Sequence, residues 1–254
     1  MPEFVVLGLP VHISNNYLKC VQEQLRKREG AHVVTINSEM AMQAQSNSEL
    51  ASVIRKAELV IPDGSGVVLF LRSQGIQINR CPGIELSEAV VKFASEQKLP
   101  VFLIGGAAEV AKTVVYNWEQ KFPDLAIAGI WDGYFSTEQE ADLCEQLQAS
   151  QPRIILVGLG VPRQEFWIRD HRYLCPNAVW IGVGGSFDIW SGRKIRAPQW
   201  LRDHHLEWLY RLYKEPWRAR RMLALPHFVL AVTSQVIKQA ISKLLGRSNA
   251  KNPV

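Results

Sequence analysis

The sequence predicts an α/β protein: a Rossmann-like, mostly parallel sheet flanked by helices, carrying a basic helical C-terminal appendage. Three observations predict it. Short apolar runs rich in Val, Ile and Leu alternate with segments of helical period through the first 195 residues, the pattern of strand–helix–strand units with right-handed crossovers. Several of these runs end in glycine-rich or Pro-Asp-Gly turns, which lie at the sheet edge where open α/β folds gather their ligands. From residue 196 the strands stop and basic, amphipathic helices take over, dividing the chain into a core at 1–195 and an appendage at 196–254.

Taken in order, Phe4-Val5-Val6-Leu7-Gly8-Leu9-Pro10-Val11 reads as a strand closed by a turn, and residues 16–28 as a helix with Tyr17, Leu18, Val21 and Leu25 on one face. His32-Val33-Val34-Thr35-Ile36-Asn37 is the next strand, followed by helices over 38–45 and, opened by Ser48, over 48–56. Leu59-Val60-Ile61 then runs into Pro62-Asp63-Gly64, which ends a buried strand in a tight turn and leaves a carboxylate at its tip. Pro-Asp-Gly is also an ordinary turn sequence, so Asp63 needs company before it reads as chemistry. Helices are expected over 66–72 and 84–97, separated by Gly75 and the Pro82-Gly83 turn. The strand Val101-Phe102-Leu103-Ile104 ends in Gly105-Gly106; a helix over 108–122, a strand over 125–130, the loop 131–135, a helix over 137–149 and a strand over 153–158 follow.

Two further strand ends are glycine-rich. One is Gly158-Leu159-Gly160-Val161-Pro162-Arg163-Gln164-Glu165, and the other follows Val179-Trp180-Ile181 as Gly182-Val183-Gly184-Gly185-Ser186-Phe187-Asp188. Glycines at such points let backbone amides approach a phosphate, and a helix beginning there adds its positive end; plain structural turns use them too. Arg163 stands where the last glycine of a dinucleotide fingerprint would fall, which disfavours a nicotinamide-dependent oxidoreductase, one rival class.

The net charge of +5 is unevenly spread: residues 193–254 hold thirteen Lys and Arg against three Asp and Glu. The tail is therefore about +10 and the rest about −5, a balance suited to nucleic acid, an anionic membrane or a phosphorylated substrate. Nucleic acid is the second rival class, but no recognition motif accompanies the arginines. In the tail, Arg218 and Arg221 share a helix face, Arg211 precedes them, and Trp208, Tyr210, Tyr213 and Trp217 keep them company, which suits a ligand or an interface more than open water. A helix opening at Pro198 is expected to continue through Leu212, and Pro216 to start another. The apolar run 223–232 is shorter than the about twenty residues a bilayer requires, and Val229, Val232, Val236, Ile237, Ala240, Ile241 and Leu244 recur at helical spacing. That spacing serves a helix lying in a membrane interface or one packed on the domain, with a frayed end over 246–254. Four scattered cysteines and an opening without an export signal fit a reducing cytosol.

Thr35-Ile36-Asn37, Pro62-Asp63-Gly64, the segment 80–86, the stretch 158–165, the stretch 182–188, and Arg196-Ala197-Pro198 through Glu207-Trp208-Leu209-Tyr210-Arg211 occur in an order that resembles the WecG/TagA/CpsF glycosyltransferases, over roughly residues 3–235. The resemblance implies transfer of a sugar, N-acetylmannosamine or a related hexose, from a UDP-sugar to an undecaprenyl-diphosphate-linked acceptor sugar. It places the reaction at the cytoplasmic membrane face, with inversion, without a required metal or other cofactor, and without nucleic acid. It implies Asp63 as catalytic base, Thr35, Asn37, Arg80 and Gln164 as pocket residues, and Arg211, Arg218 and Arg221 closing over the diphosphate. Gly158, Gly160, Gly184 and Gly185 then serve close backbone approach to the leaving group. Glu85 and Arg163 depart from the family pattern, which has an aspartate and frequently a lysine there; both keep charge.

Overall fold

The computed structural model describes residues 1–249. The chain opens with the antiparallel pair β1 (Glu3–Val6) and β2 (Leu9–His12), then lays down β3 (Ala31–Ile36), β4 (Leu59–Pro62), β5 (Val101–Gly105), β6 (Ile127–Trp131), β7 (Ile154–Gly158) and β8 (Val179–Gly182). The expected single N-terminal strand is thus a hairpin. Leu7 and Gly8 both have positive φ, 51° and 75°, which folds the chain back in a two-residue turn matched to the strand twist.

β3 to β8 form a six-stranded sheet in the order β4-β3-β8-β7-β5-β6, every neighbouring pair parallel. Its strands read as unbroken apolar runs because both faces are covered by crossover helices. Along β5, Leu103 joins one core with Leu156 and Ile181, while Phe102 and Ile104 point to the other with Ile155, Trp167 and Trp180. The β5-to-β6 connection leads toward one edge of the sheet and β7-to-β8 toward the opposite edge. The topological switch point therefore lies between the carboxyl ends of β5 and β7, where Gly105 and Gly158 stand in register.

Two helix boundaries differ from expectation for local reasons. Asn47, not Ser48, caps the helix Ser48–Lys56, its side chain accepting the Leu50 N–H. The helix expected from Pro198 to Leu212 is two, Gln199–Asp203 and Glu207–Lys214, because His205 takes a left-handed conformation at φ 61°.

The apolar run and the helical spacing after it form one helix, Ala224–Asn249, with Pro226 in its first turn, where a missing N–H costs nothing. This helix packs against Ser38–Ser46 and Ser65–Ser73. Phe228 is buried edge-on to Phe70 at 6.5 Å, and Phe70 in turn meets Phe4. Gln235 ties the helix to the hairpin turn, accepting the Leu7 N–H at 2.8 Å and donating to the Val5 carbonyl at 3.0 Å. Val229, Leu230, Ile237 and Ile241 remain exposed on the other side. The expected frayed end is helical as far as Asn249, and 250–254 lies outside the described residues. No helix among the described residues is long and apolar enough to cross a membrane.

Candidate active site

Parallel pairing sets Ile36 beside Pro62, so Asn37 and Asp63 leave the sheet side by side at its carboxyl edge. The Asp63 and Gly64 amides both donate to the Ile36 carbonyl, at 3.0 and 3.2 Å, which pins the turn. Asp63 Oδ1 accepts the Gly83 N–H at 3.0 Å. Gly83 begins the helix Gly83–Gln97, whose preceding Pro82 has no side chain to cap it, so the carboxylate from β4 caps it instead. Arg80 Nε donates to the Asp63 carbonyl at 2.7 Å, and its Nη2 lies 4.0 Å from Oδ1. The Asp63 side chain keeps 26% of its exposure. Burial raises its pKa above the usual aspartate value; Arg80, the Gly83 amide and Arg211 pull it partly back, and Glu207 adds to the rise. A carboxylate raised in this way is more basic than an exposed one, as proton abstraction asks. The neighbouring Cys81 thiol is pushed up to about 12 by burial and by Asp63 and Glu85, so it stays protonated and is no nucleophile.

Thr35, Asn37 and Gln164 all lie at this edge, each with a hydrogen bond that builds it. Thr35 Oγ1 donates to the Gly182 carbonyl at 3.2 Å, joining β3 to the end of β8. Asn37 Oδ1 accepts the Met40 N–H at 2.9 Å and caps Ser38–Ser46. The Gln164 amide is engaged at both ends: its Oε1 accepts the Gly184 N–H at 3.0 Å and its Nε2 donates to Glu165 Oε1 at 2.8 Å. Glu165, fully buried, is in turn paired with His32 Nε2 at 2.7 Å. Gln164 thus reaches the site by fixing the turn after β8.

The four glycines separate into two kinds. A Cβ on Gly158 would stand 2.6 Å from the Phe187 ring and 2.8 Å from the Gly184 carbonyl, so this residue is glycine for packing. Around Gly160, Gly184 and Gly185 the space is open. Their backbone faces room that a ligand can use.

Of the tail arginines, the structure brings Arg211 to Asp63 and anchors the other two along the same edge. Arg211 Nη2 donates to Glu207 Oε1 at 2.7 Å, and Arg80 Nη2 donates to Glu207 Oε2 at 2.7 Å. Burial opposes the Glu207 charge, but Arg211, Arg80 and Arg196 outweigh it and hold the carboxyl at about 2. Arg218 pairs with Glu215, which also holds Lys194 at 2.9 Å; Lys194 reaches Asp188, just beyond the turn after β8, at 2.8 Å. Arg221 pairs with Glu39 at 2.6 Å, on the helix that Asn37 caps. Glu85 takes Arg196 at 2.8 Å and Arg202 at 3.0 Å. Arg163 donates to the Gly133 carbonyl at 2.8 Å and lies over the Phe135 ring, holding the loop after β6.

Sequence reasoning did not single out Glu207, Arg196 or His205. Glu207 left a signal, an acid four residues before Arg211 in an otherwise basic stretch. His205 left none: its Nδ1 lies 3.3 Å from Ser65 Oγ, and burial with Arg72 and Arg80 lowers its pKa. Among the described residues no group of three or more His, Cys, Asp or Glu is placed to hold a metal ion.

Comparison with known proteins adds a family. The model of the glycosyl transferase WecG/TagA/CpsF family matches residues 4–242, taking in the sheet, the Asp63 turn and the helices that carry Glu207, Arg211, Arg218 and Arg221. An N-acetylglucosaminyldiphosphoundecaprenol N-acetyl-beta-D-mannosaminyltransferase of Bacillus spizizenii is 37% identical over 222 residues, covering 87% of this chain and 83% of the relative. A protein of the same name from Bacillus subtilis (strain 168) is 36% identical over 207 residues, 81% of this chain and 80% of the relative.

Proposed function

Because this chain belongs to the WecG/TagA/CpsF family of glycosyltransferases, we propose that it moves N-acetylmannosamine or a related hexose from a UDP-sugar to undecaprenyl-diphosphate-linked N-acetylglucosamine, in the assembly of a cell-surface polysaccharide. The acceptor is that named for both relatives. The observation that carries the mechanism is Asp63, a basic carboxylate at the strand tip with Arg80 and Arg211 near it.

In this mechanism the acceptor hydroxyl gives its proton to Asp63 as its oxygen attacks the anomeric carbon. The bond to the UDP oxygen breaks on the opposite face, so the configuration inverts. Negative charge then gathers on the departing diphosphate. Amides at Gly160 and Gly185 and the guanidinium groups of Arg211, Arg218 and Arg221 answer it, the arginines taking the part that a divalent cation plays elsewhere, while Gly184, its N–H held by Gln164, fixes the turn. The arginines leave their carboxylate partners, or share them, when the diphosphate arrives.

The acceptor's lipid places the reaction at a membrane surface, and the appendage suits that surface. Trp200, Tyr213, Trp217, Leu223 and Leu230 are exposed among its arginines, a combination that binds anionic headgroups and the apolar layer beneath them. We assign the protein to the inner face of the cell membrane, where nucleotide sugars are supplied.

The test is incubation with a panel of UDP-sugars and a lipid-diphosphate N-acetylglucosamine acceptor in the presence of EDTA, with the product read by mass. One added N-acetylhexosamine or hexose is expected. Asp63→Asn should lower turnover by about 10²- to 10⁴-fold while UDP affinity stays within about threefold. Near-native turnover in that variant rules out Asp63 as the base.

A further inference from the structure

Glu207 lies at the centre of an ion-paired cluster and has no part in the chemistry just described. It is 3% exposed and begins the helix Glu207–Lys214. Its carboxylate is divided: Oε2 takes Arg80 at 2.7 Å, while Oε1 takes Arg211 at 2.7 Å and faces Arg196 Nε at 3.5 Å. Arg80 in turn grips the Asp63 backbone carbonyl at 2.7 Å, so one chain of contacts runs from the appendage to the base. Arg196 Nη2 is buried without a hydrogen-bond partner. An unpaired buried donor is costly, and an arriving ligand oxygen would satisfy it. The cluster therefore keeps donor capacity beyond what its own acids use.

We propose that Glu207 is a positioning residue for the transfer reaction: by holding Arg80 and Arg211 on its two oxygens it sets the charge around Asp63, and it does so only when the segment 207–214 is docked on the core. The inference rests on the reading of Asp63 as the base. The groups facing Asp63 are the cations Arg80 and Arg211, the acid Glu207, the Cys81 thiol and the Gly83 amide, with Glu85 and His205 beyond them. Glu207 occupies the Nη2 of Arg80, which stands 4.0 Å from the Asp63 carboxylate, longer than a hydrogen bond. Without the Glu207 charge, Arg80 is free to close on Asp63. The base is then weakened twice, by a lost anion and by a gained cation.

A merely structural ion pair would change the melting temperature and the folded fraction, but not the pH at which activity switches on. The experiment is the pH profile of kcat/KM for the full chain and its Glu207→Gln variant, using UDP-N-acetylmannosamine and the lipid-diphosphate acceptor. In Glu207→Gln the acid limb is expected about 0.5 to 1 pH unit lower, with kcat at pH 7 reduced about three- to tenfold. Glu207→Asp keeps the charge but is one methylene short of spanning both guanidinium groups. Its limb should stay at the wild-type pH, with a kcat between those of the wild type and the glutamine variant.

An unmoved limb in Glu207→Gln, or a kcat within twofold of wild type, overturns the proposal. If Glu207→Gln does not fold, Glu207→Asp decides: wild-type kcat overturns it, and a fall of more than threefold at unchanged donor KM supports it. Asp63→Asn in the same assay separates the two readings. Full activity in that variant sinks the base and this proposal together, whereas an inactive Asp63→Asn beside an unmoved Glu207→Gln limb sinks this proposal alone.

Discussion

Asp63 and Glu207 are two acids of one cluster whose environments push them in opposite directions. The folded-state pKa of Asp63 is raised, so its ionised form is disfavoured by folding. Its contribution to stability is present below the ordinary aspartate value and lost as pH rises through the raised one. Asp63→Asn should therefore raise the melting temperature at pH 7 while removing activity, because the amide oxygen still accepts the Gly83 N–H without a charge; differential scanning calorimetry reads it. Glu207 runs the other way. Its carboxyl, held at about 2, contributes stability that is present above its ordinary value of 4.5 and lost as pH falls toward 2. Glu207→Ala should cost about 3 to 5 kcal/mol at pH 7, since it strands buried guanidinium groups, and the deficit in denaturant titrations should shrink below pH 4.5. In the sequence Asp63 is legible as a carboxylate at a strand tip. Its basicity is not, because it comes first from burial, which Arg80, Gly83 and Arg211 partly offset and Glu207 reinforces, and all of these reach it only through the fold. Gln164 teaches the same lesson: both ends of its amide are taken by the fold, one by its neighbour Glu165 and the other by Gly184 twenty residues on.

At the scale of elements, the turns after β7 and β8 show how glycines that look alike in sequence do different work. Gly158→Ala should destabilise the protein by about 1 to 3 kcal/mol, because its methyl meets the Phe187 ring and the Gly184 carbonyl. At Gly185, where φ is −80° and the space is open, alanine should leave the melting temperature unchanged. If the amides here meet the diphosphate, Gly185→Ala should still reduce the stabilisation that UDP provides in a thermal shift assay. Strand and helix identities were legible from period and length along most of the core. The exceptions were decided by single backbone conformations, the left-handed Leu7 that makes a hairpin and the left-handed His205 that breaks a helix, which neither side chain announces.

For the whole molecule, the appendage is both part of the fold and the candidate membrane contact. One side of it buries Phe228 and Val232 and locks Gln235 to the hairpin turn, while the other leaves aromatic and aliphatic side chains exposed among arginines. A chain truncated after Ile195 should melt at a lower temperature than the full chain, since Phe70 loses its partner and Arg80 its carboxylate. It should also fail to glycosylate a natural lipid-linked acceptor. The full chain should sediment with anionic vesicles at low salt and be released as ionic strength rises, which vesicle sedimentation checks directly.

By itself the sequence determined the parallel α/β core, the carboxylate and glycines at its strand ends, and the basic tail. These are local properties: hydrophobic period, turn chemistry and charge count are written in neighbouring residues. Only the tertiary structure decided that the tail closes on Asp63 through Glu207 and Arg80, that Gln164 serves the turn after β8, and that Arg221 anchors to Glu39. Those outcomes depend on which carboxylates and amides the sheet order brings within about 3 Å of one another, and contacts between residues so far apart in the chain leave no local pattern to read.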